Sequence, residues 1–350
     1  MFALKGTVSL FVIFFILLIF VPCIGLLAGH PDPAKKSPTS SASTVISQTS
    51  SAATSSAAVS KTANSAKKSG RSFRILDKTS GRILTVDELD FLRGTVATEI
   101  SPDSPPEALK AQTVAAYTYY ARLRKQNRQK PDSSLQGADF SCETGKWLIY
   151  VTNDQMKTRW KENYTKYYDN LAPAVESVYG KVLCSGNQLI DATYYAISSG
   201  QTENATAVWG SASPCLVPVA SPADIYAPGY LTTVKMSSAQ FQSAAAALGC
   251  TLAGDAANWV GDIQRTDSGT VSSIKLGGKD VKGTDMRSAY GLRSANFSVS
   301  YANGNFTFTV KGYGHDVGMS QAGAIAMAKQ GESYTHILSW YYPGSKLATL

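Results

Sequence analysis

Val8 to Ala28 is an almost unbroken apolar run, and the segment after it confines any globular fold to the rest of the chain. About twenty apolar residues in a helix cross a hydrocarbon core of roughly 30 Å. We therefore expect residues 1–29 to form a single-pass membrane anchor. The alternative is a cleaved signal peptide, but its apolar stretch would be shorter and Leu26-Leu27-Ala28 is a weak cleavage signal. Pro22 directly before Cys23 also suits a lipoprotein cleavage site poorly. Ser37 to Gly70 is rich in Ser, Thr and Ala, with almost no large apolar residue. Such a stretch buries too little surface to offset its ordering entropy, so residues 30–70 read as a disordered linker. Residues 71–350 are left for the folded domain. A very short N-terminal tail usually stays in the cytoplasm, which places that domain outside the cell membrane. Lys35 and Lys36 pull mildly the other way.

Residues 71–350 carry 27 basic against 24 acidic side chains, so no nucleic-acid-binding stripe is expected. Cys142, Cys184, Cys215 and Cys250 allow two disulfides in three connectivities. None has the close spacing of a zinc site, and the histidines are only His30, His315 and His336. We expect neither a metal nor another cofactor.

Thr85-Val-Asp-Glu88 has the capping-box pattern, and Leu89, Leu92, Val96 and Ile100 recur at helical spacing. Pro102 ends that helix, and Ser104-Pro-Pro-Glu107 predicts the start of a second. Lys181 to Cys184 and Gln188 to Tyr194 flank Ser185-Gly-Asn187, a hairpin pattern. Strand-like runs return at Val271–Leu276 and Phe297–Val310, the latter with an Asn303-Gly304 turn signal. A last helix is expected from Ser320 to Lys329, stopped by Gly331. The fold class is α+β, with mixed helices and antiparallel strands forming a substrate groove.

Glu99 lies seven residues after Leu92 and three after Val96, on the apolar face of the first helix. Desolvation there raises a carboxyl pKa, the property a general acid needs. The bland reading is a helix-end Glu that reaches water or pairs with Arg93. Glu107 is explained as half of a capping box. Ser198 to Glu203 is a polar loop suited to sugar hydroxyls, although turns of this composition are common. Gly312 to Gly323 leads into the last helix with backbone free to approach closely. His315 in that run reads as an orienting, hydrogen-bonded histidine rather than a base. A Ser198–His315–Asp316 triad is not favoured, because no G-x-S-x-G elbow exists.

In order along the chain come Phe91-Leu-Arg-Gly-Thr-Val-Ala-Thr-Glu-Ile100, Pro106 to Ala115, Tyr194 to Glu203 and Val208-Trp-Gly210. Gly283-Thr-Asp-Met-Arg287, Gly314 to Ala324 and Trp340-Tyr-Tyr-Pro-Gly344 follow. This order of motifs, from about Phe91 to Leu347, resembles the stage II sporulation protein D family, which includes the amidase-enhancer type. The resemblance implies a lytic transglycosylase acting on peptidoglycan glycan strands already stripped of stem peptides. One carboxylic acid protonates the bond between N-acetylmuramic acid and N-acetylglucosamine, then deprotonates the muramic C6 hydroxyl to give a 1,6-anhydro product. The family's catalytic Glu matches Glu99. Lys110, Gln112, Ser199, Gly200, His315, Ser320 and Gln321 match the motifs expected to line the groove. The resemblance further implies a peptidoglycan amidase/endopeptidase partner and other membrane proteins of forespore engulfment.

The chain departs from the family pattern at several positions. Tyr117 stands where many members have Arg, Asp316 where they have Gly, Tyr195 where a His is common, and Ser199 replaces a Gly. The first two bear on the groove expected to hold the sugar. They feed the alternative reading, a glycan-binding protein that stimulates a partner amidase without cutting.

Overall fold

The structure, a computed structural model, describes residues 67–350; the expected anchor and nearly all of the expected linker lie outside the described residues. Strand β1 (Ser72–Asp77) pairs antiparallel with β2 (Arg82–Asp87), and helices α1 (Glu88–Glu99) and α2 (Pro106–Gln129) follow. Next come β3 (Phe140–Cys142), α3 (Asn153–Trp160), α4 (Tyr164–Ser177), β4 (Lys181–Ser185), β5 (Gln188–Leu189), β6 (Tyr194–Tyr195) and α5 (Ala205–Trp209). The chain continues through β7 (Leu231–Ser237), α6 (Ser238–Ala247), β8 (Val260–Arg265), β9 (Val271–Leu276), β10 (Lys279–Val281) and α7 (Gly283–Ala289). It ends with β11 (Phe297–Ala302), β12 (Asn305–Lys311), β13 (Met319–Ser320), α8 (Gln321–Lys329), α9 (Tyr334–Tyr341) and β14 (Lys346–Thr349).

The α+β class holds, yet the strands are not all antiparallel: β3 runs parallel to β1, and β13 parallel to β6. The first helix also starts later than its capping-box pattern predicts. Thr85 and Val86 are β-branched and stay in the hairpin opposite Arg74 and Phe73. Asp87 is the N-cap, accepting from the Leu89 N–H at 2.9 Å. Its second oxygen accepts from Ser69 and Gly70, so the end of the expected linker is already docked. The second predicted box is also absent, because α2 begins with Pro106 at its first position and no side chain caps it. Glu107 reaches across instead, accepting from the Tyr334 N–H at 2.7 Å and capping α9. Helices α3, α4, α5, α6, α7 and α9 do not figure among the helices expected from the sequence.

Among the described residues three large apolar cores and a small cluster of Leu76, Leu135 and Ala138 hold these elements. Phe73, Phe91, Tyr120 and Phe140 form an aromatic cluster of edge-to-face and tilted pairs under β1, with centroid separations from 4.8 to 5.3 Å. Gly94 lets α1 lie on this side, since a Cβ there would collide with the Val151 carbonyl and the Tyr150 ring. A second core joins α2 to α8, α9 and β4 through Val114, Leu183, Ile337 and Tyr341. The third belongs to residues 231–311, where Phe241 stacks on Phe306 at 3.8 Å. The β11–β12 hairpin there turns at Asn303 and Gly304 with φ of 50° and 75°, as the sequence predicts for a two-residue turn.

Candidate active site around Glu99

Glu99 is the last residue of α1, and its apolar neighbours Leu92 and Val96 are fully buried. Its own side chain is half-buried, and burial pushes its carboxyl up to about 7. Among the described residues it makes no hydrogen bond or ion pair. The groups that feel its charge are the phenols of Tyr119 and Tyr120 on α2 and of Tyr194 on β6. A helix C-terminus opposes negative charge as well, so position and burial act in the same direction. The expected bland partner is engaged elsewhere: Arg93 binds Asp90 at 2.8 Å and Glu176 at 2.7 Å. What results is a carboxylic acid that holds its proton near neutrality while keeping contact with solvent.

Of the residues matched from the family, Gln112 and Gln321 meet directly, with Gln321 Nε2 donating to Gln112 Oε1 at 3.4 Å. This joins α2 to the start of α8. Ser320 caps α8, accepting from the Gly323 N–H, and donates to Asp224. Asp224 also accepts from the Ser198 N–H at 2.6 Å and from Ser221 Oγ at 3.1 Å. It is fully buried, and that burial raises its pKa. Asp224 therefore ties together the two loop motifs, and sequence reasoning missed it. A lone Asp in Ser-Pro-Ala-Asp gives no periodic or capping signal. Gly323 is required beside it, because a Cβ would collide with the Tyr341 hydroxyl and Ser221.

The other matched residues face different neighbours. Lys110 pairs with Glu107 at 2.6 Å rather than with Glu99. The Ser199 carbonyl accepts from Tyr230 Oη at 3.1 Å, and the Gly200 N–H donates to Ser198 Oγ at the same distance. His315 packs between Tyr195 and Trp209, with both ring separations 5.3 Å. Its Nδ1 accepts from the Val317 N–H, and burial lowers its pKa to about 3. The ring also bonds the Tyr194 backbone, and a neutral ring at that pKa is a poor base.

The departure at Tyr117 does not bear on this site. Its side chain is 1 % exposed and donates to Glu88 at 2.6 Å, at the far end of α1. Asp316 does lie in the motif loop, buried and with φ of 62°. The four cysteines that the sequence allows to form two disulfides, Cys142, Cys184, Cys215 and Cys250, are all free. No cluster of three metal-ligating side chains occurs among the described residues.

Residues 76–184 match the family described as Stage II sporulation protein (SpoIID). The stage II sporulation protein D of Bacillus amyloliquefaciens is 40 % identical over 256 residues, covering 73 % of this chain and 72 % of the relative. That of Bacillus subtilis is 35 % identical over 291 residues, covering 82 % of each. The amidase enhancer of Bacillus subtilis is 28 % identical over 309 residues, 74 % of this chain but 40 % of that protein. The chain belongs to the stage II sporulation protein D family.

Proposed function

We propose that this sporulation-family protein is a peptidoglycan lytic transglycosylase in which Glu99 is the single acid–base residue. The observation that carries the reading is a half-buried carboxyl raised to about 7 that has no hydrogen-bond or ion-pair partner among the described residues. Ordinary glycosidases pair two carboxylates, the second serving as nucleophile or activating water. Here burial raises the carboxyl, and among the described residues no second carboxylate acts on Glu99. That suits a reaction whose nucleophile is the substrate's own hydroxyl. Glu99 donates its proton to the oxygen between N-acetylmuramic acid and N-acetylglucosamine. The resulting carboxylate takes the proton of the muramic C6 hydroxyl as that oxygen attacks the anomeric carbon, closing the 1,6-anhydro ring. The tyrosine wall of Tyr119, Tyr120 and Tyr194 keeps the medium around the carboxyl poor in charge.

In this reading Gln112, Gln321, Ser199, Gly200, Ser320 and Lys110 border the strand, and His315 orients the β6 loop. Residues 1–29 anchor the protein in the membrane and 30–70 tether residues 71–350 outside the cytoplasm. Peptide-free glycan strands in engulfment are the substrate, and an amidase that strips the peptides is the partner. The likeness to an amidase enhancer supports a second reading, in which the chain docks on glycan and stimulates that amidase without cutting. Mass spectrometry of peptide-free strands incubated with the purified chain alone separates the two. Release of 1,6-anhydro products that disappears in Glu99→Gln supports the enzyme; release by Glu99→Gln at the normal rate sinks the mechanism.

A further inference from the structure

The near balance of charge over residues 71–350 hides a local surplus. Lys67 to Arg74 holds four basic residues and no acid, and Arg122 to Lys130 holds five and no acid. The fold brings these two stretches to one end of the molecule. Arg71 and Arg124 both pair with Glu88, the first residue of α1, and the Arg124 guanidinium lies 4.5 Å from the Phe73 ring centre. One turn further along α2, Arg128 pairs with Asp139, whose carboxylate also accepts from the Arg74 N–H at 2.9 Å.

Acids do not balance this end. Asp90 serves both Lys68 and Arg93, Glu88 serves both Arg71 and Arg124, and Asp191 and Asp139 take Arg122 and Arg128. Arg74, Lys125 and Lys130 are exposed, and among the described residues none of the three has an ion-pair partner. Lys125 has only the Gln188 amide oxygen, at 3.1 Å. Arg74 and Arg128 also line a cavity of about 210 Å³ with Asn127, Asp132 and Asp139. The Arg74 guanidinium lies at this cavity, since a Cβ on the lining Gly137 would sit 3.9 Å from both of its terminal nitrogens. Both acids there are engaged, Asp139 as described and Asp132 by the Ser134 N–H at 2.8 Å. The Arg74 guanidinium has no hydrogen-bond partner among the described residues, so its donors are free for a ligand.

The chain also enters the folded domain here. Ser69 and Gly70 bond the Asp87 carboxylate immediately before Glu88. On the reading that residues 1–29 anchor the chain, the tether delivers this basic end to the bilayer. Glu99 is at the opposite end of α1.

We propose that this basic end docks on the anionic surface of the bilayer that holds the anchor, with a lipid phosphate seated in the cavity beside Arg74 and Arg128. The proposal rests on the anchor reading and does not need the transglycosylase chemistry. A guanidinium fork matches the oxygens of a phosphate, and bases clustered beside a membrane anchor are attracted by anionic lipids. Docking by the Glu88 end of α1 holds the Glu99 end off the bilayer, where a glycan strand can reach it.

The test uses the full chain with a protease site inserted within residues 30–66, reconstituted into vesicles. One set is phosphatidylcholine alone, and the other has an equal share of phosphatidylglycerol. Sedimentation at about 0.1 M salt, before and after cutting, reads what stays on the vesicles. Before cutting, the chain should sediment with both sets. After cutting, the folded part should stay on the anionic vesicles, leave the neutral ones, and leave both at about 1 M salt. The combined variant Arg74→Gln, Lys125→Gln, Lys130→Gln should weaken that retention about a hundredfold. Should it fail to fold, Arg74→Gln alone, expected to weaken retention by more than Lys130→Gln, carries the test. Equal losses from those two single variants would overturn the seat in the cavity. Release from both sets, or retention that survives the combined variant, overturns the docking and leaves the anchor standing. An uncut chain that sediments with the anionic vesicles alone overturns the anchor and supports the docking; one that sediments with neither overturns both. Release from the vesicles with capture by a soluble glycerol-phosphate polymer would give this surface to the wall and overturn the membrane proposal.

Discussion

The two ends of α1 carry a glutamate each, and they have opposite fates. Glu88 and Glu99 lie roughly 16 Å apart along one helix. Burial raises the pKa of both, and in Glu88, which is fully buried, other groups reverse it. Tyr117 and Tyr179 donate to Glu88 at 2.6 and 2.8 Å, Arg124 pairs with it, and Arg71 lies at 3.2 Å. Its pKa ends below the ordinary value. Glu99 has the burial without the donors. The helix dipole adds to the contrast, favouring a negative charge at the first turn and opposing it at the last. Burial alone does not distinguish a structural carboxylate from a chemical one; the presence or absence of donors does.

The strongest way to break this comparison is Glu99→Gln. It should lower the release of anhydro products by at least about a thousandfold, near the upper range for a lost general acid–base group. Because no partner is left stranded, its unfolding temperature at pH 8 should match or exceed that of the parent. A mutant that loses activity by unfolding would place Glu99 with Glu88 as a structural residue.

Glu88→Gln should do the reverse. The amide leaves Arg124 and Arg71 short of negative charge beside a buried carbonyl, a defect of about 3–5 kcal/mol in denaturant unfolding. The molecules that remain folded should cut at the parent rate per active site. A normal unfolding curve would mean that the network around Glu88 contributes little.

Spacing places Glu99 on the helical face of Leu92 and Val96, because periodicity reports faces, and the order of the family motifs makes it the candidate. Neither could reach Asp224, whose partners Ser198, Ser221 and Ser320 come from three separate loops brought together by the fold. The capping boxes misled for a related reason. Thr85 and Ser104 satisfy the local pattern, but strand pairing claimed the first and Pro106 fixed the start of the second helix. Glu107 then serves a helix more than two hundred residues later, a contact no local window contains. Tyr117 was read as a possible defect in the groove because its motif neighbours are functional. On a helix of 24 residues, adjacent motif positions face different ways, and this one faces Glu88.

Titration sharpens the contrast, since the two carboxyls act on stability in opposite pH ranges. Glu99 is raised in the folded state, so stability is greatest below its ordinary value of 4.5 and declines as pH rises to about 7. The decline should be roughly 2 kcal/mol once its solvent contact is allowed for. Glu88 is lowered, so its contribution is present above 4.5 and is lost as pH falls through its folded value. Unfolding curves from pH 3 to 9 should show less neutral-range decline in Glu99→Gln and an unchanged acid limb. The cutting rate of the parent should fall about tenfold per pH unit above 7, as the acid loses its proton. A rate that climbs through pH 8 would contradict the protonated resting state.

The smallest expected effect belongs to Tyr117→Phe. The substitution keeps the ring, which lies against Phe73 and Tyr179, and removes only the hydroxyl between Glu88 and Arg71. Loss of that bond should reduce stability by about 1 kcal/mol at pH 7. One donor fewer raises the folded pKa of Glu88, so the acid unfolding limb should move to slightly higher pH. Urea unfolding at pH 7 and pH 4 measures both changes. Because the hydroxyl is buried at the opposite end of α1 from Glu99, the cutting rate should stay at the parent value. A rate that fell with Tyr117→Phe while the unfolding curve stayed put would show that the Glu88 network and the Glu99 site are energetically joined, and the separation along α1 would no longer hold.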